Sequence, residues 1–301
     1  MAFSGRTSAL LLLAVLPAGA AAQQPERAVL LPQVPASVRA AALGSAYVLG
    51  ASEPEALFYN PAMAGSFGGL GAAVQWYGSA AVHTLAAGGS LLGVPLAIGM
   101  RTVDYGTEPG AAATGAERLN RSGTRTVAER VLTVGAARRL FGVRVGLAAS
   151  AIERRAEGER QVRPALDVST GLPVGPVRLG LSAHHVGPAM TLGEEDVDLP
   201  SRATLAVSSR TANVGPLDVL ASAAATAYFD GEVVGGGGLE VSYWPIQGRT
   251  FTARAGWRGQ EEPAAEPLTL GAGVTLDSFT VDYAWQRFDG AHVHRLGISL
   301  R

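Results

Sequence analysis

The chain has no cysteine and no lysine. Without cysteine there is no disulfide framework and no thiol to carry a lipid anchor. All 24 basic residues are arginine; set against 25 acidic residues they leave a net charge of −1, so no basic surface for nucleic acid is implied. Aromatic residues make up only 6%. Uninterrupted apolar runs are also scarce. Leu70 to Met100 has no charged residue, but Gly88, Gly89, Gly93, Pro95 and Gly99 break it and His83, Thr84 and Ser90 sit inside it. That density of breakers argues against a membrane helix. Glycine is abundant, at 39 residues, which weakens helices but suits strands that bend or pack closely.

The first 22 residues read as a secretion signal. Arg6 supplies the positive start, Leu10 to Leu16 the apolar stretch, and Ala20-Ala21-Ala22 the small-residue cleavage site. An amino-terminal membrane helix fits less well, because the stretch is short and ends in Pro17 and Gly19. Removing the signal leaves 301 − 22 = 279 residues, enough for one large barrel. Residues 23–65 are rich in Ala and Pro and lack a two-residue period. Ser37 is placed to cap a short helix over Ser37 to Leu43, and Tyr59-Asn60-Pro61-Ala62 reads as a turn.

From residue 66 to 301 the pattern is strands. Val177 to His184 alternates apolar residues with polar, charged or Gly residues, a period of two. Fourteen strands are predicted: 68–78, 81–91, 95–105, 126–139, 143–153, 161–172, 177–186, 201–209, 216–228, 233–244, 250–258, 267–276, 279–287 and 293–300. Tight joints such as Leu92-Gly93-Val94, Phe141-Gly142 and Asp277-Ser278 alternate with longer ones, of which Gly106 to Arg125, Gly187 to Pro200 and Gly259 to Glu266 are long and polar. Even strand number, short turns at one end and long loops at the other describe an all-β, transmembrane antiparallel barrel of a Gram-negative outer membrane. Trp76, Tyr77, Tyr105, Tyr228, Tyr243, Trp244, Trp257, Phe279 and Trp285 fall near strand ends, where an aromatic girdle is expected. A soluble two-sheet sandwich would bury the same apolar faces, but these are rich in Ala and Leu with aromatics kept to the ends.

Three stretches carry a family resemblance. Arg39-Ala40-Ala41-Ala42-Leu43-Gly44-Ser45-Ala46-Tyr47-Val48 is followed by Glu53-Pro54-Glu55-Ala56-Leu57-Phe58-Tyr59-Asn60-Pro61-Ala62; further on come Val177 to Ser182, Val186-Gly187-Pro188, Leu199-Pro200-Ser201-Arg202 and the closing His294 to Leu300. Together they resemble the PorV/PorQ proteins, within the FadL-type outer-membrane barrels. The resemblance implies a fourteen-stranded barrel with the amino-terminal segment in the lumen as a hatch. It also implies one of two roles. PorV-type proteins receive secreted cargo in type IX secretion, and FadL-type proteins pass hydrophobic compounds. The short length and the Arg301 terminus depart from the larger fatty-acid transporters.

The expected site residues are a hatch motif, Asn60, Pro61 and Ala62, and a set of lumen charges: Arg101, Arg144, Arg163, Asp167, Arg178, Arg202, Asp218, Glu240, Arg254, Asp282 and Arg295. The charges either line a polar path or pair with one another, since buried charges need partners. His184 and His185 are expected to face opposite ways as strand neighbours, which argues against a metal. Ser182 and His184 share a face, the minimum for a lipid hydrolase, but no oxyanion-hole loop adjoins them. Gly235 to Gly238 lacks the Lys and helix start of a phosphate loop. The sequence thus leads to a non-enzymatic outer-membrane protein without cofactor or metal. Its expected partners are membrane lipid together with secreted cargo or secretion-channel proteins, or else hydrophobic small molecules. The secretion-linked role is the first expectation and the transporter the second.

Overall fold

The computed structural model describes residues 27–46, 53–64, 68–78, 80–107, 126–156, 159–192, 195–259, 265–288 and 291–301. The expected signal and its cleavage site lie outside the described residues, as do most of the loops 106–125 and 259–266.

Fourteen long strands form the wall: β1 Gly69–Tyr77, β2 Ala80–Leu91, β3 Val94–Thr107, β4 Thr126–Leu140, β5 Val143–Ala156, β6 Glu159–Val174, β7 Val177–Val186, β8 Arg202–Ser209, β9 Leu217–Tyr228, β10 Val233–Ile246, β11 Arg249–Arg258, β12 Ala265–Leu276, β13 Phe279–Phe288 and β14 Ala291–Leu300. Each pairs antiparallel with its sequence neighbours, and β14 returns to β1, with Leu300 opposite Leu70 and His294 opposite Trp76. Closure leaves no edge, so backbone donors and acceptors in the wall are met within it, as a lipid-facing sheet requires. The sandwich is therefore excluded. The charge-free stretch Leu70 to Met100 is strand, and among the described residues no helix is long and apolar enough to cross a membrane.

Burial follows the two-residue period. Leu205 is 58% exposed and Leu166 64%, while their neighbours Thr204 and Asp167 are buried. One face of the wall is thus an apolar outer surface and the other faces the lumen. The turns Leu92-Gly93 and Phe141-Gly142 have positive φ at both residues, the two-residue hairpin turn whose twist suits the flanking strands.

Two expectations are corrected. Tyr77, Tyr105 and Tyr228 do not belong to the girdle, because all three turn inward: the Tyr77 hydroxyl accepts from Arg295, Tyr105 lines the lumen with Val103, and Tyr228 is buried beneath Arg27. The joint Gly187 to Pro200 is not all loop, since it holds a small hairpin of Met190–Leu192 with Glu195–Val197. A further short strand, Ala212–Val214, extends the pairing of β9 past the end of β8.

The segment from Arg27 to Ala64 packs on the inner face. Its helix α1, Val38–Ala42, is capped by the Ser37 side chain, which accepts from Ala40 N at 3.3 Å, so the expected cap and helix are both present. Two 3-10 helices follow, Pro54–Phe58 and Pro61–Met63. Tyr59 to Ala62 is more than a turn: Asn60 caps the second of these helices through Ala62 N. Inward glycines make room. A Cβ on Gly146 would collide with the Pro61-Ala62 backbone, one on Gly99 with Phe58, and one on Gly135 with Leu57. These three glycines therefore serve as clearance for the segment.

Candidate functional site: the packed lumen and its cavity

At mid-lumen the segment meets the wall through charge. Arg39 of α1 donates to both Glu240 oxygens at 2.6 Å and to Glu53 at 3.1 Å. Arg254 on β11 donates to Glu240 at 2.6 Å and to Asp282 on β13 at 2.5 Å. Glu53, Arg39, Glu240, Arg254 and Asp282 thus alternate in sign along one buried chain that ties the segment to three wall strands. Glu55 lies beside it, its carboxyl packed where a Cβ on Gly71 would be and its Oε2 without a hydrogen-bond partner.

The other expected charges fare differently. Arg101 is buried and donates to the Leu31, Val34 and Pro35 carbonyls of the segment, and Arg202 donates to the Pro32 carbonyl. Arg295, also buried, donates to Gln75, Tyr77 and Gln286, and its Nη1 has no partner. Arg163 donates to the Ala189 carbonyl. Asp167 accepts from His185 N at 2.7 Å. Asp218 accepts from Asn213, Arg144 is half-buried, and Arg178 is inward by register yet exposed at the rim. Glu240, Arg254 and Asp282 pair with one another, and Arg101, Arg163 and Arg202 bind backbone carbonyls, a partner type that sequence alone does not reveal.

In the expected hatch motif, Asn60 Nδ2 donates to the Thr170 carbonyl and Ala62 N donates to the Ser169 hydroxyl at 2.8 Å. Tyr59, missed as a site residue, is central: its hydroxyl accepts from Ala36 N and Ser37 N, and its carbonyl accepts from His184 Nε2 at 2.8 Å. His185 corrects the opposite-faces expectation. It has a φ of +56°, and the β6–β7 register shifts between Leu166 and Val168, so both histidines are buried with rings 5.9 Å apart. Ser182 Oγ makes no hydrogen bond, and His184 is engaged with the segment, so the two do not form a nucleophile–base pair.

Towards the loop end the segment stands away from β1–β3 and β12–β14, leaving a cavity of about 490 Å³. Leu31, Val34, Tyr77, Val82, Val103 and Phe288 give it an apolar lining; Arg295, Gln286, Thr269 and Arg258 give it one polar side. A mostly apolar cavity with a few convergent polar groups is the usual form of a small-molecule site. The segment is pinned beside it. Arg27 forms ion pairs with Asp230, at 2.7 Å, and Glu232, and its guanidinium lies 3.5 Å from the Tyr228 ring centre.

A closed fourteen-stranded antiparallel barrel with an apolar outer face defines the class: a transmembrane β-barrel of the outer-membrane type. Solved structures bear out the fold. The chain superposes on the Pseudomonas putida toluene transporter TodX with a TM-score of 0.53 at 10% identity, over 86% of this chain and 95% of that one. The Ralstonia pickettii toluene transporter TbuX gives 0.51 at 13% identity, over 88% and 96%. The monoaromatic hydrocarbon channel CymD gives 0.51 at 11% identity, over 86% and 93%. No family model matches the chain, and no curated protein does.

Proposed function

We propose that this protein is an outer-membrane transporter for hydrophobic small molecules, of the FadL type, with the segment from 23 to 65 acting as its hatch. The observation that carries the reading is the apolar cavity between segment and wall at the loop end, with Arg295 as a polar contact at its edge. The transport named for the structurally similar proteins supports it, as does the dense packing of the segment, which must yield before anything passes. The secretion-linked role, first expectation of the sequence, keeps only the PorV/PorQ resemblance behind it and is displaced. The signal over 1–22 completes the route to the outer membrane.

The test is equilibrium binding of N-phenylnaphthylamine, an apolar fluorophore, to protein in detergent micelles corrected for micelle partitioning. Saturable binding, weakened at least tenfold by Val103→Trp with the barrel still folded, supports the reading. Binding that is absent, or indifferent to the filled cavity, refutes it.

A further inference from the structure

The turn end of the barrel is strongly asymmetric in charge. β3 pairs with β4, β5 with β6 and β7 with β8, so the turns at Leu92-Gly93, Phe141-Gly142, Gly175-Pro176 and the one after β8 follow one another along the rim, about 10 Å apart from the strand spacing. This arc carries Arg138, Arg139, Arg144, Arg178 and Arg210 against a single acidic residue, Asp218, which is hydrogen-bonded to Asn213. The rest of the turn-end rim is mixed, with Arg249, Arg301 and Asp277. Within the described residues, Arg138, Arg139, Arg178 and Arg210 form no side-chain hydrogen bond or ion pair.

The same arc exposes apolar side chains at a conformational cost. Leu92 and Phe141 are fully exposed and sit at φ of 52° and 49°, where Gly, Asn or Asp is ordinarily found. Nothing in the barrel packs on either, so folding does not account for them. A rim that combines unpaired cations with fully exposed apolar tips has the composition of an interface.

We propose that this arc of the turn end, from Leu92 to Arg210, is a docking surface for an acidic polypeptide segment carrying apolar anchor side chains. Charge complementarity sets the sign of the partner and steers its approach. The face of the wall argues for a polypeptide over the lipid leaflet: Arg139, Arg144 and Arg178 share the inward register of Ala137, Gly146 and Gly180 and so ring the mouth of the lumen, while Arg138 takes the outward register of Val134. Phe141 and Leu92 argue against a small free anion, which has no use for apolar anchors. Only the placement of this surface in the periplasm, where the short turns of outer-membrane barrels lie, rests on the outer-membrane part of the proposed function.

The experiment uses the full chain in nanodiscs of neutral phosphatidylcholine and three fluorescent peptides: Glu-rich with Phe and Leu, Glu-rich with Ser, and Lys-rich with Phe and Leu. The acidic apolar peptide should bind best, with an affinity that falls as salt rises. Replacing Arg138, Arg139, Arg178 and Arg210 together by Gln should weaken it at least tenfold. Phe141→Asn should weaken binding at least fivefold while leaving the barrel as stable or more so, because Asn tolerates the left-handed turn; a merely structural Phe141 would not show that opposition. Equal binding of all three peptides, no binding, or binding that the four Gln substitutions leave intact overturns the proposal. So does dependence on the same arginines that appears only when phosphatidylglycerol is added, which assigns the surface to lipid. No transport is measured, so failure here leaves the transporter reading untouched.

Discussion

Arg39→Leu tests whether the buried charge chain holds the segment in the lumen. The substitution removes the Arg39 hydrogen bonds to Glu240 and Glu53, leaving Glu240 its bond from Arg254 and Glu53 its bond from the Ser37 hydroxyl. Breaking one partner out of a buried ion pair costs about 3–5 kcal/mol, because the carboxylate left behind is desolvated and uncompensated. At 1.4 kcal/mol per factor of ten, that raises the undocked population of the segment by about two to three and a half powers of ten. Amide hydrogen exchange at Ala40 to Ala46, in detergent-solubilised protein, reads that population. Glu240→Leu added to Arg39→Leu removes the stranded carboxylate and leaves Arg254 its bond to Asp282, so the double variant should recover part of the loss, with about 0.5–3 kcal/mol of coupling. Exchange accelerated less than about fivefold by Arg39→Leu, which is under ~1 kcal/mol, would refute the reasoning.

Leu205→Arg places a charge on the lipid face near mid-membrane and should cost about 2–4 kcal/mol in refolding titrations into lipid. The fitting lumen-side control is Thr252→Arg, inward and half-buried where Thr204 is buried; equal losses at 205 and 252 would contradict the facing. Burial and the neighbouring Glu53 push the Glu55 carboxyl up to about 8. A carboxyl whose folded value is raised favours the docked segment below its ordinary value of about 4.5 and loses that contribution as pH rises through 8, by up to about 1.4 kcal/mol per pH unit. Exchange of residues 53–64 should therefore quicken from pH 5 to 8 beyond its intrinsic base catalysis, and Glu55→Gln should flatten the excess. Ile152→Ala opens a gap in the fully buried cluster with Leu31 and Met190, costing about 2–5 kcal/mol, and should loosen the loop-end part of the segment, seen as earlier proteolysis after Arg27.

Much of the wall was legible because strand parity is a local signal. The alternation over Val177 to His184 separated outward from inward residues of β7 correctly, and Ser37 announced its helix. What escaped depends on contacts distant in sequence. The positive φ of His185 and the bulge beside it reverse a face that alternation assigns, while Tyr77 and Tyr228 share the inward parity of Gln75 and Ser222, which nearness to a strand end does not show. Of the site, the charges were visible but their partners were not: Arg101 and Arg202 bind carbonyls of Leu31 to Pro35, and no residue type advertises a carbonyl. The inward glycines opposite Phe58, Leu57 and Ala62 were the one overlooked cue that something fills this lumen.

A cross-link between segment and wall tests the account most directly, and the absence of native cysteine makes it clean. A Cβ on Gly297 of β14 would lie 3.4 Å from Val38 Cβ of α1, close to the separation a disulfide spans. The variant Val38→Cys/Gly297→Cys should oxidise to completion in vesicles, stop uptake of N-phenylnaphthylamine into the lumenal space, and recover uptake on reduction. Failure of the bond to form, or uptake at the unmodified rate with the bond intact, would contradict a lumen that opens by moving this segment.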